Sequence, residues 1–190
     1  DRSRWFRDEV ISRLSREYGL PRWLLGNILG GAPLPDKPSA PLPDKASVTS
    51  PASSGRWPLV IFSSGLFGCC EMYTQFCREL ASMGFIVIAI EHEDGSGIYA
   101  TSAKSGEVVE HQACPEGESR AVFRQPHLKQ REEELANTIS AVLGLARGGV
   151  VTAEQTAGER ALADVLRCGD PTRLLLIGHS FGSAGLVQYL

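Results

Sequence analysis

Apolar and polar positions follow one another in a recurring order along this chain. Short unbroken apolar runs alternate with stretches in which apolar residues return every three or four positions. The runs cover residues 57–62, 85–90 and 174–177. Each is too short for a stable helix and is bounded by Gly, Pro or charge, so each predicts a strand. Pro58 is tolerated near the start of the first. Residues 85–90 are rich in β-branched side chains and are expected to be covered on both faces. Between the runs, Met72, Phe76, Leu80 and Met83 predict a helix over 71–83, stopped by Gly84. Leu128, Leu135, Ile139, Val142 and Ala146 mark the inner face of a longer helix, opened by Pro126 and ended by Gly148 and Gly149. Its Glu132-Glu133-Glu134 run is expected on the solvated side, with Lys129 placed to pair with Glu133. Residues 95–125 are polar and glycine-containing, an irregular excursion. Thr152-x-x-Gln155 has the form of a capping box for a helix carrying Leu162, Val165 and Leu166. Asp170-Pro171 turns the chain into the final strand.

The first 56 residues follow a different pattern. Residues 3–18 predict an amphipathic helix capped by Ser3, with Phe6, Val10, Leu14 and Tyr18 on one stripe and Gly19 and Pro21 at its end. A second short apolar segment carries Trp23, Leu24, Leu25, Ile28 and Leu29. It either packs on the domain or presents Trp23, Leu24 and Leu25 to a lipid boundary as a peripheral anchor. From residue 31 to 56 the composition shifts to Pro, Ser and Ala, and Ala-Pro-Leu-Pro-Asp-Lys occurs twice, at 32–37 and 40–45. Proline at this density blocks helix and sheet, so this is a linker, and the repeat is a candidate docking segment. The expected division is therefore a helical segment at 1–30, a linker at 31–56 and an α/β unit over 57–190.

Strands separated by helices imply a parallel sheet with helices on both faces, and function at the carboxyl ends of its strands. Three stretches reach that edge: the glycine-punctuated loop after Phe62, the acidic turn Glu91-His92-Glu93-Asp94, and Gly178-His179-Ser180-Phe181-Gly182. The last has the form Gly-x-Ser-x-Gly. With Gly at about 7% of residues and Ser assumed similar, that pattern arises by chance in roughly one chain in fifteen of this length. Its placement between a strand and a helix start (Ala184, Leu186, Val187, Tyr189, Leu190) carries more weight than the pattern itself. In such an elbow the serine sits on a strained turn with its hydroxyl raised above the sheet, and the flanking glycines admit backbones that a Cβ would exclude. The alternative is an ordinary Gly-rich turn. As a nucleophile, Ser180 needs a base, and on this architecture the order is Ser, then Asp or Glu, then His. None of the ten residues after Ser180 is acidic or His. The triad acid and base are thus expected to lie outside this chain, which by itself is expected to be inactive. The oxyanion hole is expected from the backbone N–H groups of Phe181 and of the loop around Leu66.

Composition narrows the classes without choosing among them. The chain has 190 residues, 43% hydrophobic and 22% charged, enough for one domain with a core. A net charge of -3 with no Lys/Arg stripe argues against nucleic acid as a partner. No apolar stretch is long enough to span a bilayer, and no signal-peptide pattern is present. The chain starts at Asp1 and stops at Leu190 inside an apolar helical pattern, as a fragment would. The cysteines at 69, 70, 77, 114 and 168 form neither a disulfide framework nor a zinc pattern. Cys70 and Cys77 on one helix would lie about 10 Å apart along its axis, too far to bridge. Reduced thiols mildly favour an intracellular compartment.

The chain resembles the platelet-activating factor acetylhydrolase family of α/β-hydrolases. The residues that carry the likeness are Trp57-Pro-Leu-Val-Ile-Phe-Ser63 with Gly65-Leu66, Leu80-Ala-Ser-Met-Gly-Phe-Ile-Val87, Glu91-His92 with Asp94, and Ile177-Gly-His-Ser-Phe-Gly182. Trp23-Leu-Leu-Gly-Asn-Ile-Leu29 and the charged helix over 128–147 also look like family segments. Gly-His-Ser-Phe-Gly alone fits many lipases; the ordered set is specific. The resemblance implies a partial α/β-hydrolase fold and calcium-independent hydrolysis, without a metal or cofactor, of short or oxidised acyl esters at the sn-2 position of a phospholipid. Ser180 matches the family's nucleophile, and the N–H groups of Leu66 and Phe181 match its oxyanion hole. Ser64 stands where the family usually has His, and Ser183 replaces a common second glycine. Loop support and elbow packing are expected to differ there. By the family's sheet order the strand at 57–62 lies between those at 85–90 and 173–178, leaving two open edges. A general carboxylesterase or polyester hydrolase of the same fold and a non-catalytic lipid-binding relative are the competing readings.

Overall fold

A computed structural model describes residues 6–29, 55–150 and 156–190. Its centre is β1, Trp57–Ser63, whose last five residues are buried. A parallel three-stranded sheet runs in the order β2–β1–β5, with β2 at Ile86–Ile90 and β5 at Gly169–Gly178. The central place of β1 is the one expected. Register runs Leu59↔Ile86 to Ser63↔Ile90 on one side and Leu59↔Leu174 to Ser63↔Gly178 on the other. All three strands therefore end at one edge, and the loops that follow them share it.

Alternation along β1 feeds two layers. Leu59 and Ile61 join Leu135, Val142 and Ala146 of α4 (Arg120–Ala146), Leu166 of α5 (Ala157–Arg167) and Leu186 of α6 (Phe181–Tyr189) in the main core. Burying a side chain of that size contributes about 1.5–3 kcal/mol. On the opposite face Phe62 stacks on Phe76 of α3 (Thr74–Ser82) and on Tyr73, in the short 3-10 helix Cys70–Tyr73. A smaller cluster holds Val10, Ile11 and Leu14 of α1 (Asp8–Tyr18) and Leu25 of α2 (Arg22–Leu29) against Cys69 and Ile98. Arg7 ties this hairpin to Glu71 and Glu91 at the sheet edge.

Several elements differ from expectation. The segment over 95–125 contains a hairpin, β3 (Tyr99–Thr101) with β4 (Val108–Glu110). α4 begins at Arg120, so Pro126 lies inside the helix instead of opening it. The capping box is formed by Thr156 and Glu159: the Glu159 N–H donates to Thr156 Oγ1, and the Thr156 N–H to the Glu159 carboxylate. Thr152 and Gln155, like Ser3 and the repeat at 32–45, lie outside the described residues. α5 buries Ala163 and Leu166, while Leu162 and Val165 are exposed. Tyr18 is exposed, and α1 turns instead on Val10, Ile11 and Leu14. β2 is only half-buried along most of its length, and Leu175 on β5 is exposed. Both strands are edges of this sheet, so one flank of each lacks a neighbouring strand among the described residues. The expected stripe of α3 is likewise open, with Met72, Phe76 and Met83 exposed. All five cysteines are free.

Candidate active site

β5 ends at Gly178 and α6 begins at Phe181, leaving His179 and Ser180 to make the turn. Ser180 adopts φ 52° and ψ -117°. Among the described residues only Phe67 shares a positive φ without being glycine. Such a backbone costs of order 1–3 kcal/mol and persists only where its surroundings over-determine it. Here they do. The His179 N–H donates to Ser63 O at 3.1 Å, and the Gly182 N–H to His179 O at 2.8 Å. The Ser183 and Ala184 N–H groups both donate to Ser180 O. Ser183 Oγ donates to Gly178 O at 2.6 Å, so this side chain fastens the helix start to the strand end.

The glycines of the motif have steric reasons. A Cβ on Gly178 would lie 2.6 Å from Ser183 N, and one on Gly182 only 2.2 Å from Ser63 O. The Ser180 side chain is left exposed and makes no capping hydrogen bond to α6.

The loop after β1 lies against this turn. A Cβ on Gly65 would come within 2.9 Å of His179 Nδ1. The Tyr73 hydroxyl joins loop and elbow, accepting from the Gly65 N–H at 3.1 Å and meeting His179 Nδ1 at 2.9 Å. Gly65 O accepts from the Gly68 N–H, and Ser96 O accepts from the Phe67 N–H. The N–H groups of Gly65, Phe67 and Gly68, on either side of Leu66, are thus held. The N–H groups of Leu66 and Phe181 have no backbone acceptor among the described residues. An N–H group without an acceptor is free to donate to an oxyanion.

Beneath the loop is a buried polar layer that sequence reasoning missed. Ser63 Oγ lies 2.8 Å from His92 Nε2, and His92 Nδ1 lies 2.6 Å from Glu134 Oε2. The other Glu134 oxygen accepts from the Glu93 N–H. This Ser–His–Glu chain has the connectivity of a hydrolytic triad, but Ser63 and His92 are buried. No substrate carbonyl reaches that hydroxyl, and the chain instead braces the ends of β1 and β2. Beside it Arg131 pairs with Asp94 at 2.9 Å, both side chains sealed from solvent. Burial alone would raise the Asp94 carboxyl; Arg131 and the Ser96 hydrogen bonds outweigh it and hold it below the usual carboxylate range.

For Arg131 the signal is present in the sequence. Arg124, His127, Arg131 and Leu135 follow three-four spacing onto the buried stripe of α4. A charge in phase with an apolar stripe is a buried charge that needs a partner. Glu134, expected on the solvated side with its acidic neighbours, faces His92 instead.

The remaining histidines are engaged elsewhere: His111 contacts Ser96 O and Gly97 O, and His127 contacts Phe123 O. Burial, and next the charge of Glu71, pushes the Cys69 thiol up to about 12, which removes it as a neutral-pH nucleophile.

Residues 34–190 match the family described as platelet-activating factor acetylhydrolase, isoform II. The chain belongs to the platelet-activating factor acetylhydrolase family. It is 31% identical over 199 residues to the platelet-activating factor acetylhydrolase of Bos taurus, covering 96% of this chain and 41% of that protein. It is 29% identical over 167 residues to that of Gallus gallus, covering 75% and 39%. With that of Cavia porcellus the identity is 34% over 152 residues, covering 74% and 34%. The chain thus spans about two fifths or less of the length of these relatives. This family is of the α/β-hydrolase type, and the parallel sheet with helices on both faces agrees with it.

At Ser64 the contact to Arg131 is made by the backbone carbonyl, which accepts from Arg131 Nη1 at 2.5 Å and does not depend on which side chain stands there.

Proposed function

We propose that this chain carries the nucleophile and oxyanion hole of a serine esterase that removes short or oxidised sn-2 acyl groups from platelet-activating factor-like phospholipids. Ser180 Oγ attacks the ester carbonyl, and the oxygen that becomes negative is received by the N–H groups of Leu66 and Phe181. Collapse of the tetrahedral species expels the lysophospholipid alkoxide, which takes a proton, and water then releases the acyl group from Ser180. The reading rests above all on one observation: an exposed serine held at positive φ between a strand end and a helix start. The acid and base that complete the mechanism come from outside residues 1–190. The isolated chain is accordingly expected to show little or no turnover.

Matched assays of the intact protein on a short-acyl phosphatidylcholine and on a simple aryl ester test the substrate class. Turnover of both, with the phospholipid favoured, is expected. Turnover of the aryl ester alone would fit a general carboxylesterase and remove the phospholipid reading.

The α1–α2 hairpin supports contact with a lipid surface. Trp23 is 69% exposed, and Tyr18 and Leu20 lie open beside it in sequence. Leu24 is half-buried and Leu25 is packed in the small core, so of the three residues expected at the boundary Trp23 is the one that is free. No described helix is long and apolar enough to cross a membrane. Trp23→Ala is expected to weaken partitioning onto phosphatidylcholine vesicles about tenfold, the equivalent of losing most of one buried aromatic. Hydrolysis of a water-soluble ester should not change. Unaltered vesicle binding would exclude Trp23 as an anchor.

A further inference from the structure

The geometry points to Arg131 as the positioning residue of the oxyanion hole. The inference rests on the assignment of Leu66 and Phe181 as its donors. Arg131 is 1% exposed and is the largest side chain fully buried among the described residues. A guanidinium in that setting needs a partner for each face of its fork. Nε donates to Asp94 Oδ2 at 2.9 Å and to Ser96 Oγ at 3.1 Å, Nη2 to Ser96 Oγ at 2.7 Å, and Nη1 to Ser64 O at 2.5 Å. Its Cζ also lies over the Phe181 ring, 4.8 Å from the centroid.

These contacts enclose both donors. The Ser64 carbonyl precedes Leu66 in the loop. Ser96, which follows it in space, accepts the Phe67 N–H through its own carbonyl at 2.8 Å. The guanidinium therefore fixes the chain on either side of the Leu66 N–H. Through the ring it also fixes the residue that carries the Phe181 N–H. Asp94 keeps the fork oriented, and Ser96 donates to that carboxylate while accepting from Arg131. One rigid cation sets the distance between an N–H group on the loop after β1 and one at the start of α6. Replacing a buried ion pair with apolar side chains is often neutral for stability. A positioning role gives this pair a function that packing alone does not.

Arg131→Lys in the intact protein tests the assignment. Lysine keeps the charge opposite Asp94, but its single ammonium cannot reproduce the fork that reaches Ser64 O and Ser96 together. The readout is the rate ratio between a p-nitrophenyl ester and its thionoester, in which sulfur replaces the carbonyl oxygen. Oxyanion-hole donors favour the oxygen substrate, whereas general damage slows both. The variant is expected to lose about 10²-fold in kcat on the oxygen ester with little change in KM, a loss typical of donors displaced by an ångström. The oxygen-to-sulfur ratio should fall about tenfold. Equal slowing of both substrates would overturn the proposal. If Arg131→Lys does not fold, Ser96→Ala serves, since it removes an acceptor of Nε and Nη2 and leaves Arg131 in place. A smaller fall in the same ratio is then expected, and an unchanged ratio overturns the assignment. A wild-type protein with no oxygen-over-sulfur preference would instead remove Leu66 and Phe181 as the hole, and with them this inference.

Discussion

Ser180→Ala in the intact protein is expected to abolish covalent labelling by a fluorophosphonate and to lower kcat on the order of 10⁵ to 10⁶-fold, as loss of the nucleophile does in other serine hydrolases. The expectation follows from the backbone before it follows from the motif. A serine at φ 52° is held there by hydrogen bonds on either side, and its hydroxyl is exposed without a cap partner on α6. Such strain is retained where something depends on it. Ser63→Ala supplies the contrast. Ser63 also has a histidine and a glutamate in series behind it, at 2.8 and 2.6 Å. Judged by connectivity alone it is the better triad serine. Judged by burial it has no access to a substrate. Labelling should survive Ser63→Ala, while stability falls by about 1–3 kcal/mol because His92 loses a buried partner. Labelling lost in Ser63→Ala and kept in Ser180→Ala would reverse the assignment.

The contrast also shows what a sequence makes legible. The strands and the elbow could be read directly because their signals are local: an apolar run, a glycine two residues before and after a serine, and a helix start. The order β2–β1–β5 came from the family resemblance, and the register then follows along the strands. The polar layer could not be read that way. Arg131 and Asp94 are 37 positions apart, and His92 and Glu134 are 42 apart. The spacing on α4 marks Arg131 as buried without saying what it meets, and Asp94, His92 and Glu134 carry no such local mark. The three-residue strands β3 and β4 lack the apolar alternation that would separate them from loop. The expected cover on both faces of β2 is incomplete for another reason. An apolar run records what a strand is built to meet, and at the edge of this sheet β2 has a neighbouring strand on one side only among the described residues.

Gly182→Ala is expected to destabilise the protein by about 3 kcal/mol or more, seen as a lower midpoint in urea unfolding of the intact protein. Its Cβ would lie 2.2 Å from Ser63 O and 2.7 Å from both Ser63 C and Ser64 O. All three are backbone atoms, so no side chain can rotate out of the way. Either the end of β1 or the start of α6 must move. Ser63 is bound to both flanking strands and Ser64 O to Arg131, so movement there disturbs the sheet and the buried ion pair together. Gly185, one turn further along α6 and also buried, separates this effect from helix propensity. A Cβ there would meet Arg131 Cβ at 3.5 Å, an ordinary contact. Gly185→Ala should therefore be neutral or gain up to about 1 kcal/mol from helix propensity. If both variants shifted the midpoint alike, the loss would belong to the helix and not to its contact with β1. A loss confined to Gly182→Ala ties the serine turn, the end of the central strand and the Ser64 carbonyl into one mechanical unit, which is the condition for a nucleophile and its oxyanion donors to keep a fixed spacing.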